Sequence, residues 1–195
     1  IVVASCLASE ISFDTMLDTI RALCTDPDIN LDKKVYHSEM SHISRNRAIA
    51  YLLESKGYIE KNKDVENSLH FYVKMCSLSV TAESLAGLGL ILANDGIHPD
   101  TGKRLLSSQA VKIVKTLMFT CGMYDGSGEF AVRVGIPSKS GVGGGILSVV
   151  DGEMGIGIFG PALDKKGNSV AGECVLEYMS HELHLHMFDP QRHTL

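Results

Sequence analysis

The 195-residue chain has no tryptophan, only five prolines and no excess of positive charge, with 18 Lys and Arg against 23 Asp and Glu and a net charge of -5. The missing tryptophan carries no functional weight. The missing basic stripe does, because a protein that neutralises phosphates needs clustered cations, and this argues against a nucleic-acid partner. No apolar run approaches the roughly 18 residues of a membrane span, so no membrane partner is expected. A Cys-x-x-Cys pair is also absent. Cys6, Cys24, Cys76, Cys121 and Cys174 are odd in number and widely spaced. That speaks against a zinc ribbon, a redox motif or a disulfide framework, and for buried, reduced thiols. The opening Ile1-Val2-Val3 has neither an initiator Met nor the cationic flank of a signal peptide.

What is present divides by glycine. Of 19 glycines, 14 fall between Gly122 and Gly172, while the first 120 residues read as successive helices. Residues 9–24, with Ser9 as the cap, carry Phe13, Met16, Leu17, Ile20 and Leu23 at helical spacing, and Asp26-Pro27-Asp28 breaks the pattern. Further helices are predicted from about Ser44 to Ser55, from an Asp64 cap through Met75, from a Thr81 cap to Asn94, and from Ser107 or Ser108 onward. Beyond them Ile136–Gly141 reads as extended. Gly145–Val150 and Met154–Phe159 read as strands joined at Asp151-Gly152, a hairpin signal. A last amphipathic helix covers about Asn168 to Met187. Helices, a small antiparallel meander and a closing helix make an α+β fold in which the sheet has few strands.

The most informative segment is Lys139-Ser140-Gly141-Val142-Gly143-Gly144-Gly145. A Lys-Ser-Gly triplet on an edge-type strand lets backbone N–H groups approach a ligand, as in serine acyl-transfer enzymes, where such a triplet lies opposite a Ser-x-x-Lys helix start. Alone it is a short motif that recurs by chance. It is accompanied by Ser38-Glu39 followed, after six intervening residues, by Asn46, by Phe71-Tyr72, by Cys121-Gly122-Met123-Tyr124-Asp125 and by Gly160-Pro161-Ala162-Leu163-Asp164 with Lys166-Gly167-Asn168-Ser169. In order and spacing this set resembles the serine-dependent glutaminases, of β-lactamase/transpeptidase-like fold, over the chain up to about Phe188.

The resemblance implies hydrolysis of L-glutamine to L-glutamate and ammonia through a serine acyl-enzyme, with no cofactor and no metal. It makes Glu39 the carboxylate that grips the substrate α-ammonium. Asn46 becomes the carboxamide at the α-carboxylate end, and Tyr72 a substrate-binding phenol. Seven residues apart on one helix, Glu39 and Asn46 would share a side, unless Glu39 precedes the helix. Tyr124 becomes a proton shuttle beside the nucleophile. A phenol whose ordinary pKa is near 10 needs a neighbouring cation for that work. Val142 supplies a backbone N–H of the oxyanion hole, and Lys139 and Ser140 frame its strand. Taken singly, Glu39 and Asn46 read as a solvated helix face, Tyr72 as core and Tyr124 as a turn residue.

The resemblance also requires a Ser-x-x-Lys pair, and no serine here has Lys three residues on. Residues 1–188 are therefore expected to be the C-terminal major part of one glutaminase domain, with 189–195 a tail and the nucleophile before Ile1. Two expectations follow: the chain alone lacks activity, and an unpaired sheet edge favours self-association. The family further implies a dimer or tetramer. Without a sorting signal a bacterial cytoplasm fits, and a mitochondrial address stays open. His181, His184 and His186 do not all share one helix face, which disfavours a metal site. Two other readings remain: an acyl-transfer enzyme acting on another amide or a β-lactam, and a non-catalytic glutaminase-like module.

Overall fold

The computed structural model describes residues 1–61 and 64–192; the last three positions of the expected tail lie outside the described residues. The chain forms two compact units, Ile1–Ala22 with Pro27–Val80, and Leu23–Asp26 with Thr81–Leu195.

The first unit is mainly helical. Helix α1 (Val2–Glu10) packs on α5 (Val65–Cys76), as do α3 (Lys33–Ser41) and α4 (Ser44–Ser55). Their shared core is Ile43, Ala50, Ile59, Val65, Leu69 and Val73. Asp64 caps α5 as expected, its carboxylate accepting the Asn67 N–H at 3.0 Å. Helix α2 (Phe13–Cys24) belongs to this unit up to Ala22 and sets Phe13 edge-on to Phe71. Two short strands, β1 (Asn30–Leu31) and β2 (Leu78–Ser79), pair antiparallel. The expected Ser9 cap is corrected, because Ser9 lies inside α1. The helix breaks at Ile11, whose backbone is extended, and Ser12 starts α2 by accepting the Thr15 N–H at 3.1 Å. Glu39 and Asn46 are likewise on separate helices, since α3 ends where the His42 N–H turns back to the Glu39 carbonyl.

The second unit has three layers. Strands β3 (Ser138–Ser140), β4 (Gly145–Val150) and β5 (Met154–Phe159) form an antiparallel sheet in that order, with Leu147 opposite Gly157 and Ser148 opposite Ile156. Because side chains alternate along a strand, Ile146, Val150 and Ile156 face Phe130 of α8 (Ser127–Arg133), Val134 just beyond it, and Leu176 of α9 (Val170–Glu182). Leu147 and Val149 face Leu92, Val111 and Met118 of α6 (Ala82–Ala93) and α7 (Ser108–Cys121). Thr81 and Ser84 close a capping box at the start of α6. Where α6 crosses β5 the two backbones touch: a Cβ on Gly157 would lie 1.8 Å from the Ala82 carbonyl oxygen.

The last helix is shorter than predicted. His184 adopts φ +53°, which ends α9, and the Met187 N–H turns to the Gly135 carbonyl. The cysteines also correct an expectation, since only Cys24 is buried and the other four are exposed; all five are free. No described helix is long and apolar enough to cross a membrane.

Candidate functional site

In the first unit α3 places Glu39 on the surface, and the first turn of α4 holds Asn46 half-buried. Tyr72 lies half-buried on α5 against the Ile43–Leu69 core. Tyr72 and Glu39 converge on a residue that sequence reasoning missed. The Cys76 thiol, one turn beyond Tyr72, hydrogen-bonds with the phenol and feels the Glu39 carboxylate. Although Cys76 is exposed as a residue, partial desolvation of its thiol, with the Glu39 charge adding to it, holds this group above its ordinary range, and the Tyr72 bond opposes the shift. No local signal in Phe-Tyr-Val-Lys-Met-Cys distinguishes Cys76 from a core thiol.

In the second unit the expected residues gather at one end of the sheet. Tyr124 begins a short 3₁₀ turn after α7, and Val142 sits in the turn between β3 and β4. Their side chains flank Gly167, where an added Cβ would lie 3.6 Å from the Tyr124 ring and 3.8 Å from Val142 Cγ1. Val142 is 72% exposed, and its N–H has no hydrogen-bond partner among the described residues. The turn is closed by the Gly144 N–H to the Gly141 carbonyl (2.9 Å), which leaves the Val142 N–H available, as an oxyanion donor must be.

Lys139 is the cation nearest the Tyr124 ring among the described residues. Its Nζ lies 4.7 Å from the centre of the phenol ring and also donates to the Ser140 carbonyl. Burial holds this ammonium below the usual lysine range, with the nearby Cys121 pulling the other way. The Ser140 hydroxyl beside it is buried without a partner among the described residues. Strand β3 is locked to the turn bearing Tyr124 because the Ser140 N–H donates to the Gly122 carbonyl at 3.0 Å. The unit therefore offers a phenol, a desolvated ammonium and a free N–H together. These suit proton transfer and anion stabilisation, and no nucleophile–base pair accompanies them among the described residues.

Comparison with known proteins identifies the family. A glutaminase family model matches residues 1–188. The glutaminase of Clostridium tetani is 52% identical over 175 residues, covering 90% of this chain and 56% of that protein. That of Clostridioides difficile is 52% identical over 184 residues, covering 94% and 58%. The chain thus spans somewhat more than half the length of the curated relatives it matches. Among solved structures, a Bacillus subtilis glutaminase in covalent complex with 5-oxo-L-norleucine superposes with a TM-score of 0.85 at 39% identity, over 90% of this chain and 61% of that one. A Bacillus glutaminase crystal structure gives 0.89 at 38%, over 96% and 64%. The chain belongs to the serine-dependent glutaminase family and has its β-lactamase-like α+β fold.

Proposed function

We propose that the protein of which these residues form part hydrolyses L-glutamine to L-glutamate and ammonia through a serine acyl-enzyme. Residues 1–188 supply the later part of that domain, and a Ser-x-x-Lys pair must come from outside this sequence. In this reading Glu39 binds the α-ammonium, Asn46 the α-carboxylate end and Tyr72 the body of the substrate. The serine attacks the side-chain carbonyl carbon and the Val142 N–H takes the resulting oxyanion. Tyr124 passes a proton to the departing amide nitrogen, so that ammonia leaves and the acyl-enzyme remains for water to cleave.

The observation that carries the reading is the free Val142 N–H beside a phenol stacked under Lys139. The covalent adduct of the Bacillus subtilis relative supports it, because 5-oxo-L-norleucine is an α-amino acid with a carbonyl where glutamine has its amide carbon. The same reading places the protein in a bacterial cytoplasm as a homo-oligomer, an assembly to which the exposed Val132, Tyr178 and Phe188 are suited. The test is ammonia release from L-glutamine. The 195-residue chain alone is expected to release none, and the chain extended by its upstream coding sequence is expected to be active. Tyr124→Phe in the active form should lower kcat. Turnover by the 195 residues alone, or full activity of Tyr124→Phe, would refute the assignment.

A further inference from the structure

Tyr124 has φ +52°, a left-handed backbone that a bulky side chain adopts only under constraint. Its ring does not supply the constraint, since the residue is 38% exposed. The constraint lies in the two peptide groups on either side of its Cα. Ahead of it, the Met123 carbonyl accepts from Asn168 Nδ2 at 3.1 Å and from the Gly126 N–H at 3.0 Å. Behind it, the Tyr124 carbonyl accepts from the Ser127 hydroxyl at 2.7 Å. The same Ser127 oxygen accepts the Met123 N–H at 3.0 Å, so one hydroxyl bridges the backbone across Tyr124.

Both side chains are themselves fixed. Ser127 is 6% exposed and Asn168 fully buried. Asp164 Oδ1 accepts the Asn168 and Lys166 N–H groups at 2.9 Å, while the Asp164 N–H donates to the Asn168 carbonyl at 2.8 Å. With both flanking peptide planes held, φ and ψ of Tyr124 have no freedom, and the ring is delivered beneath Lys139.

We propose that Ser127 and Asn168 are positioning residues that hold Tyr124 in its left-handed conformation and thereby aim the phenol. The catalytic half of this proposal rests on the glutaminase reading above; the conformational half does not. Its test begins on the 195-residue chain with ¹³Cζ-labelled tyrosine, the Tyr124 resonance being identified by Tyr124→Phe. Ser127→Ala and Asn168→Asp, which keeps the shape but loses the donor, are expected to move that resonance towards the position of a tyrosine in the unfolded chain, with no cation over its ring. Ser127→Thr should retain it. Tyr124→Gly, whose backbone suits a positive φ, should raise the Tm, and Ser127→Ala should cost less Tm in that background than in the parent.

A resonance unmoved in both Ser127→Ala and Asn168→Asp overturns the proposal. In the form that carries the serine–lysine pair, Ser127→Ala should lower kcat about tenfold with KM for glutamine unchanged, and should lower it no further in a Tyr124→Phe background. A further fall in that background marks a merely structural role and also overturns the proposal. A shifted resonance with kcat intact retains the positioning and removes the catalytic role of Tyr124 instead.

Discussion

Gly122 lies between α7 and the turn bearing Tyr124, with ordinary helical φ and ψ of -73° and -22°. Its backbone would suit any residue; its surroundings would not. A Cβ there falls 1.8 Å from the Ser138 carbonyl oxygen, where ordinary contact starts near 3.4 Å. The obstacle is the backbone of β3, which cannot rotate aside as a side chain can. Gly122→Ala therefore has to separate α7 from β3 and strain the Ser140 N–H to Gly122 carbonyl bond.

Overpacking costs about 1–3 kcal/mol, and a clash against backbone belongs at the upper end, about 3 kcal/mol. Replacing glycine recovers about 0.4–1 kcal/mol through the unfolded chain, so a net loss of about 2–3 kcal/mol remains. At about 2–4 °C per kcal/mol for a chain of this size, the Tm should fall by about 4–12 °C in a thermal scan followed by circular dichroism. Gly128→Ala is the matched control, because a Cβ at that position in α8 meets nothing within 4 Å. It should leave the Tm equal or higher, by up to about 1 kcal/mol of helix propensity. If Gly122→Ala and Gly128→Ala melt alike, the packing argument is wrong.

Three further outcomes are expected. Leu69→Ala, at a fully buried site in the first unit, should cost about 2–5 kcal/mol in urea unfolding, and a loss below about 1 kcal/mol would mean the cluster collapses into the space. At mildly alkaline pH a thiol reagent should modify Cys6, Cys121 and Cys174 first and Cys24 last, since burial and then Asp26 push the Cys24 thiol up to about 11; mass spectrometry of the native protein showing early labelling of Cys24 would contradict this. The Glu66 carboxyl is held below its ordinary 4.5, chiefly by its hydrogen bond from Arg47 at 2.8 Å, so its contribution to stability is present above the unfolded pKa and lost as pH falls through the lower folded value. Arg47→Met should flatten the acid limb of the Tm-against-pH curve, and an unchanged limb would show that this exposed pair contributes nothing measurable.

What could be read in advance was what is local. Asp64, Thr81 and Ser107 announce their helices because a capping oxygen acts within three residues. Asp151-Gly152 sets the β4–β5 register because a tight turn leaves no alternative pairing. The start of α2 was misplaced because two serines carry the same capping signal: Ser9 lies within α1 and donates to the Cys6 carbonyl, while Ser12 follows the break at Ile11 and accepts the Thr15 N–H. The β1–β2 pair joins residues nearly fifty positions apart and leaves no short-range trace. Around the candidate site, Tyr124 and Val142 were visible through motifs, while the contacts of Cys76, Ser127 and Asn168 are made only by the folded chain and leave no local pattern.

The seam between α6 and β5 has a consequence for how this protein tolerates change. Gly155 and Gly157 meet the Ala86 and Ala82 carbonyl oxygens directly, with no side chain between the two elements. A core made of side chains absorbs a substitution by re-sorting rotamers and admits compensating second mutations. This seam has no such parts to re-sort, so neither of the two strand glycines accepts a replacement, nor does Gly89 of α6, where an added Cβ would lie 2.7 Å from the Gly155 Cα, and no neighbour can rescue one. In a deep mutational scan Gly155 and Gly157 should tolerate nothing, together with Gly89 across the seam, inside a strand whose isoleucines exchange with other aliphatic residues.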